Sequence, residues 1–216
     1  LATRETTRLT RNAQGNFTPA VLDAHTIVFA SSRDGDSELY RLDLRTRVQK
    51  RLTAFHRDDW SPRPSPDGKT IAFLSDREGT PRIFLVESDG ANVRRLTSDR
   101  DPNEEDEPTW SPDGRSLAFT RSPVATVSSD RSTRVSAVTR PRAVMVRDVA
   151  TGAERVLSPR AAVDSEPAWS PDGTLVAVSR THLEGDSLVL LPVDPARGPA
   201  EPLTIATGGA RLPRWF

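Results

Sequence analysis

An all-β fold, a β-propeller of four-stranded antiparallel blades, is predicted by three features of this sequence. A turn recurs as Pro64-Ser65-Pro66-Asp67-Gly68, Trp110-Ser111-Pro112-Asp113-Gly114 and Trp169-Ser170-Pro171-Asp172-Gly173, each copy followed by a strand of one kind. A closing Leu-Thr or Leu-Ser recurs at Leu52-Thr53, Leu96-Thr97, Leu157-Ser158 and Leu203-Thr204. Val21, Pro64, Trp110, Trp169 and Trp215 stand 43, 46, 59 and 46 residues apart. Four short strands at a period of roughly 40 to 50 residues are the signature of a propeller blade. No stretch shows sustained helical periodicity.

The turn chemistry explains the recurrence. Proline presets φ at the second turn position, and aspartate bonds back to nearby backbone amides. Gly68, Gly114 and Gly173 are placed where the chain must turn left-handed to close a hairpin. In chain order, Thr6–Thr10 reads as a lone closing strand. The first blade covers about 17–53: strands at 19–22, 26–31, 38–43 and 48–53, a short turn at Asp23-Ala24-His25, and a loop at Arg33–Ser37. The second covers about 58–97, with strands Thr70–Ser75 and Arg82–Val86. The third covers about 106–158. It carries a Ser-, Thr- and Arg-rich insertion at 122–142, read as a short hairpin or an irregular loop, before its third strand Ala143–Asp148. The fourth covers about 164–204, with strands Thr174–Ser179 and Ser187–Leu191. Leu212–Phe216 reads as the opening strand of a further blade. The whole of 1–216 is thus expected to form one propeller domain. Its lone terminal strands suggest a ring completed by a longer parent chain or by another chain.

Composition removes several function classes. Lys and Arg together number 30 and so do Asp and Glu, which gives no net charge with which to grip nucleic acid or anionic membrane. There are no cysteines, so disulfides, thiolate catalysis and Cys-bound zinc are absent. No apolar run approaches the ~18 residues of a membrane span.

The repeat Asp-x-x-Pro-x-Trp-Ser-Pro-Asp-Gly, followed by an aliphatic-Ala-Phe strand and a final Arg-Leu-Thr, resembles the WD40-like propeller repeat of the TolB type (PD40). Residues 106–114 and 166–173 carry it most fully, and the likeness extends over nearly the whole chain. It implies a non-enzymatic scaffold binding a protein or peptide, periplasmic or extracellular, in a bacterial cell envelope. Similar repeats also form the gating propellers of prolyl-oligopeptidase-like serine peptidases, a second reading, although no Gly-x-Ser-x-Gly elbow occurs here. A third is a carbohydrate-processing propeller enzyme, one class of which uses metal-bound histidines.

Carboxylates precede each opening strand: Asp58 and Asp59, Asp106 and Glu107, Asp164 and Glu166. In TolB-like propellers this position leads into the strand lining the central channel. The resemblance therefore places Asp59, Asp106, Glu107, Asp164 and Glu166 at a channel mouth, where they would bind a cationic partner segment or Ca²⁺. The other reading gives each carboxylate to backbone amides or to a nearby arginine. The acidic stretch 99–107 lacks an EF-hand pattern and reads as a solvated connection. His25, His56 and His182 are scattered, without metal-ligand spacing, and no nucleophile motif accompanies them, so no catalytic or metal residue is expected. The arginines of the insertion lack the interleaved aromatics of a nucleic-acid reader. Trp110 and Trp169 are expected to pack beside the channel or between blades. Trp60, outside their column, is expected to be exposed.

Overall fold

In a computed structural model the described residues are 6–12, 14–97, 103–124, 141–158, 162–183, 185–194 and 202–207. They form four four-stranded antiparallel sheets and no helix. The first sheet orders β1 (Asn16–Asp23), β2 (Thr26–Asp34), β3 (Asp36–Asp43) and β4 (Gln49–Arg51). The second orders β5 (Asp59–Pro64), β6 (Thr70–Ser75), β7 (Arg82–Glu87) and β8 (Arg94–Arg95). The third holds β9 (Asn103–Trp110), β10 (Ser116–Pro123), β11 (Ala143–Asp148) and β12 (Glu154–Val156). The fourth holds β13 (Asp164–Trp169), β14 (Leu175–His182), β15 (Gly185–Pro192) and β16 (Leu203–Thr207).

Sheets stack in chain order. First strands touch across each boundary, β1 on β5, β5 on β9 and β9 on β13, so they form the inner side of the stack. The short fourth strands β4, β8 and β12 lie outside, with mostly exposed residues. Alternation along each second strand feeds both faces of a blade. Ile71 and Phe73 pack with Val28, Ala30 and Leu39 of the first sheet, while Ala72 and Leu74 pack with Leu117 and Phe119 of the third. Ala118, Val144 and Val146 meet Val176, Val178 and Leu191 across the next boundary. Phe73, Phe119, Ile71 and Leu117 are fully buried. Burial of such side chains contributes roughly 1.5–3 kcal/mol each, which an isolated sheet with one open face would forgo.

The three Ser-Pro-Asp-Gly turns close as expected. The amides of Gly68, Gly114 and Gly173 donate to the carbonyls of Ser65, Ser111 and Ser170, each at 2.9 Å, with φ of 68°, 70° and 71°. The serine hydroxyl donates to its aspartate, as Ser65 to Asp67 at 2.7 Å and Ser111 to Asp113 at 2.6 Å. It also accepts the amide of the next strand's first residues, as from Thr70 at 3.0 Å.

Several boundaries differ from expectation. Thr6–Thr10 is not a strand; its contacts are local, such as the Arg8 guanidinium to the Thr10 carbonyl at 2.8 Å. Arg33–Ser37 is no loop, because β2 and β3 run on to a tight turn at Gly35, φ 112°. The acidic residues from Asn103 onward belong to β9, and the start of the insertion, Ser122–Pro123, prolongs β10. Extended backbone satisfies its amides in the ladder, which outweighs the preference of these polar residues for loops. The rest of the insertion, 125–140, the acidic residues 99–102, and Leu212–Phe216 lie outside the described residues.

Candidate functional site

Each inner strand contains a bulge in its pairing with the second strand, at Phe17/Ala20, Trp60/Arg63, Asp106/Thr109 and Ser165/Ala168. The sequence cause is a proline, which donates no ladder hydrogen bond and is tolerated in sheets at edges and bulges. Pro19, Pro62, Pro108 and Pro167 hold this position. The residue before each, Thr18, Ser61, Glu107 or Glu166, sits at positive φ, 44°, 54°, 54° and 57°. Sterics disfavour that region for any residue with a Cβ.

These positions are coupled in two pairs along the inner side. The Ser61 amide donates to Thr18 Oγ1 at 3.2 Å, and the Glu166 amide donates to Glu107 Oε2 at 2.9 Å. Glu107 also faces Arg142 Nη1 at 3.5 Å, and its own amide donates to Asp106 Oδ1 at 2.8 Å. Burial pushes the Glu107 carboxyl above its ordinary pKa, against the pull of the Glu166 amide and Arg142. Arg63, on the neighbouring strand, is reached by solvent yet has protein around much of its side chain. That enclosure lowers its pKa, and the nearby Asp106 and Glu107 oppose the change. The arrangement suits a polar partner group that exchanges hydrogen bonds with fixed carboxylates and one arginine.

Asp59 and Asp164 are placed otherwise. Both side chains are fully buried and paired: Asp59 with Arg77 at 2.8 Å, Asp164 with Arg180 at 2.7 Å. In the third blade the equivalent residue is Glu105, one position before Asp106, paired with Arg121 at 3.0 Å. The closing hydroxyl of the preceding blade completes two of these groups. Thr97 donates to Glu105 at 2.8 Å and Ser158 to Asp164 at 2.6 Å, whereas Thr53, beside Asp59, donates to the buried Glu38 of its own blade at 2.6 Å. Burial raises the Asp59 pKa, and Ser75 and Arg77 oppose it. The structure thus brings Asp106, Glu107 and Glu166 to the inner side and commits Asp59 and Asp164 to blade junctions. Glu105 and the arginines Arg77, Arg121 and Arg180 were missed from sequence. Their signal was present, since an arginine stands near the end of every second strand or just after it, and every blade has a closing Thr or Ser.

Trp110 and Trp169 staple neighbouring blades, their indole N–H groups donating to the carbonyls of Arg63 at 2.8 Å and Thr109 at 3.1 Å. Trp60 is not exposed: it is half-buried against two core clusters, because the bulge beside it turns its side chain toward the blade junction. His25 lies in the first turn, His56 is exposed beside Asp36 at 3.2 Å, and His182 Nε2 is 3.1 Å from Ser187 Oγ in the fourth blade. They come from the first turn, the connection to the second blade and the fourth blade. Among the described residues no group of three or more His, Asp or Glu side chains is disposed to hold a metal ion.

Comparison with known proteins gives a match over residues 1–216 to the family described as TolB beta propeller domain, PD40. The Tol-Pal system protein TolB of Francisella tularensis is 28% identical over 90% of this chain and 42% of its own length. The uncharacterized peptidase YuxL of Bacillus subtilis is 32% identical over 58% of this chain and 22% of its own. The crystal structure of TolB from Acinetobacter baumannii superposes with a TM-score of 0.66 at 27% identity, covering 91% of this chain and 45% of that one. The chain spans less than half the length of each of these proteins.

Proposed function

This chain belongs to the TolB beta propeller domain family, and from that premise we propose that it is a non-enzymatic module docking a protein or peptide at the inner mouth of its blades, in a bacterial cell envelope. The observation that supports this most is the row of four equivalent pre-proline bulges at positive φ, which presents Glu107 and Glu166 on a fixed backbone. Strained backbone of this kind persists where surrounding structure over-determines it and is concentrated at ligand-contacting positions. Asp106, Glu107 and Glu166 are the partner-contacting residues on this reading, with Arg63 beside them. The similarity to a Tol-Pal system protein over most of the chain accords with it. Further blades, from a longer parent chain or a second chain, would complete the ring.

A photo-cross-linking amino acid placed at Glu166, and separately at Arg155 on outer strand β12, tests the proposal. A discrete envelope protein is expected to be labelled from position 166, competed by unlabelled chain, and lost with Glu107→Ala. Equal labelling from position 155 contradicts it.

The similarity to YuxL supports a second reading, a gating propeller of a peptidase. On the first reading the purified chain turns over no chromogenic peptide. Turnover abolished by His56→Ala or His182→Ala would establish chemistry in this chain itself.

A further inference from the structure

Four carboxylates near the starts of the second, third and fourth blades face an arginine, and three of them are gripped tightly. Asp59, Glu105 and Asp164 hold Arg77, Arg121 and Arg180 at 2.8, 3.0 and 2.7 Å, with the arginine side chains 11, 12 and 14% exposed. Glu107 differs: Arg142 stands 3.5 Å away and is 34% exposed, beyond the roughly 2.7–2.9 Å of a charge-assisted hydrogen bond. Glu107 does not need that arginine to stay in place. Its Oε2 accepts the Glu166 amide at 2.9 Å and faces the Thr120 hydroxyl at 3.4 Å, while Arg142 approaches Oε1. Arg142 is fixed instead by its backbone. Its amide donates to the Ala162 carbonyl at 2.9 Å, and its carbonyl accepts the Asp164 amide at 3.0 Å. The guanidinium can therefore leave Glu107 without opening the pairing of β11 with the connection before the fourth blade.

We infer that Arg142 is an internal competitor for the partner's place: its guanidinium covers Glu107 until a Lys or Arg side chain of the docking segment replaces it at Oε1. A partly exposed ion pair is worth little, about 0–1 kcal/mol, so this one is readily exchanged. A carboxylate that docking closes off from water needs a cation or hydrogen-bond donor at close range, and at 3.5 Å Arg142 does not provide it. The other charged groups that act here are Asp106 and Glu166, which favour a cation, and Arg63, which opposes it but directs Nη1 to the Pro62 carbonyl at 3.2 Å. The inference rests on the partner-binding reading and adds the partner's charge and the residue that regulates access to Glu107.

The test is a ¹⁵N NMR titration of the chain with capped hexa-arginine, with hexaglutamate as control. The Glu166 amide, which donates to Glu107, and the Arg142 side-chain Nε–H are expected to move together and saturably with hexa-arginine alone. Arg142→Gln is expected to bind it about two- to fivefold more tightly, the scale of a loose ion pair, with an unchanged melting temperature. Arg155→Gln on β12 removes the same charge elsewhere and is expected to leave binding as it was. If Arg142→Gln unfolds the chain, the two resonances of the unmodified chain decide. No saturable response at Glu166, an Arg142 resonance that stays fixed while Glu166 moves, equal or weaker binding by Arg142→Gln, or an equal gain in Arg155→Gln would each overturn the inference. Specific cross-linking from position 166 that persists alongside any of these results leaves the partner-binding reading standing and removes only the part given to Arg142.

Discussion

A residue with a Cβ at positive φ costs roughly 1–3 kcal/mol, and this chain accepts that cost at Thr18, Ser61, Glu107 and Glu166 while using glycine in its three Ser-Pro-Asp-Gly turns. Gly114 is the contrast: φ is 70°, and a Cβ there would meet Pro66 Cδ at an ordinary 3.5 Å. Gly114→Val is therefore penalised by its backbone rather than by a clash, and is expected to lower stability by about 1 kcal/mol or more. An unchanged urea midpoint would contradict that. The turn aspartates set a pH dependence. Asp67, Asp113 and Asp172 have lowered pKa values, first because a serine hydroxyl donates to each and next because a backbone amide does. The unfolded chain then takes up these protons first, so their stabilisation is complete above 3.8, the ordinary value, and is lost as pH falls through the lower folded values. The urea midpoint is expected to drop as pH falls below about 4, less steeply when all three are changed to Asn. Equal slopes would show that these carboxylates do not contribute.

At the scale of elements, the blade junction is made by a carboxylate at the start of one blade and an arginine at or just beyond the end of its second strand, joined in the third and fourth blades by a hydroxyl at the end of the blade before. Arg180→Ala leaves the fully buried Asp164 charge without its ion-pair partner. The expected loss is about 3–5 kcal/mol, whereas pairing it with Asp164→Asn restores part of that. A double variant no more stable than the single one would contradict the pairing. This junction also marks how far sequence could go. Turns and the second and third strands were legible: Thr70–Ser75 and Ala143–Asp148 match β6 and β11 residue for residue. The inner acids were legible only as a set, since Asp59, Glu105 and Asp164 align in space while Glu105 is followed by two more acids in sequence. Which of three adjacent carboxylates is buried depends on the bulge, and the bulge is set by the following proline. Asn16 holds the same position in the first blade, where Arg33 reaches its side-chain oxygen at 3.1 Å.

On the scale of the whole molecule, function depends on the order of strands from the inside outward. Period and turn wording predicted stacked blades, and the sheets stack in chain order with buried clusters at each junction. Sequence could not show that the four pre-proline residues converge, because that follows from blade stacking and no single repeat contains it. The chain has no native cysteine, so introduced pairs report proximity without background. Thr18→Cys with Ser61→Cys, and Glu107→Cys with Glu166→Cys, replace residues whose backbone and side-chain atoms lie 3.2 and 2.9 Å apart. Lys50→Cys with Arg155→Cys joins outer strands β4 and β12 of nonadjacent blades. Under mild oxidation at low protein concentration, both inner pairs are expected to form intramolecular disulfides and the outer pair none. An outer pair that cross-links while the inner pairs stay reduced would contradict the arrangement on which the channel site depends.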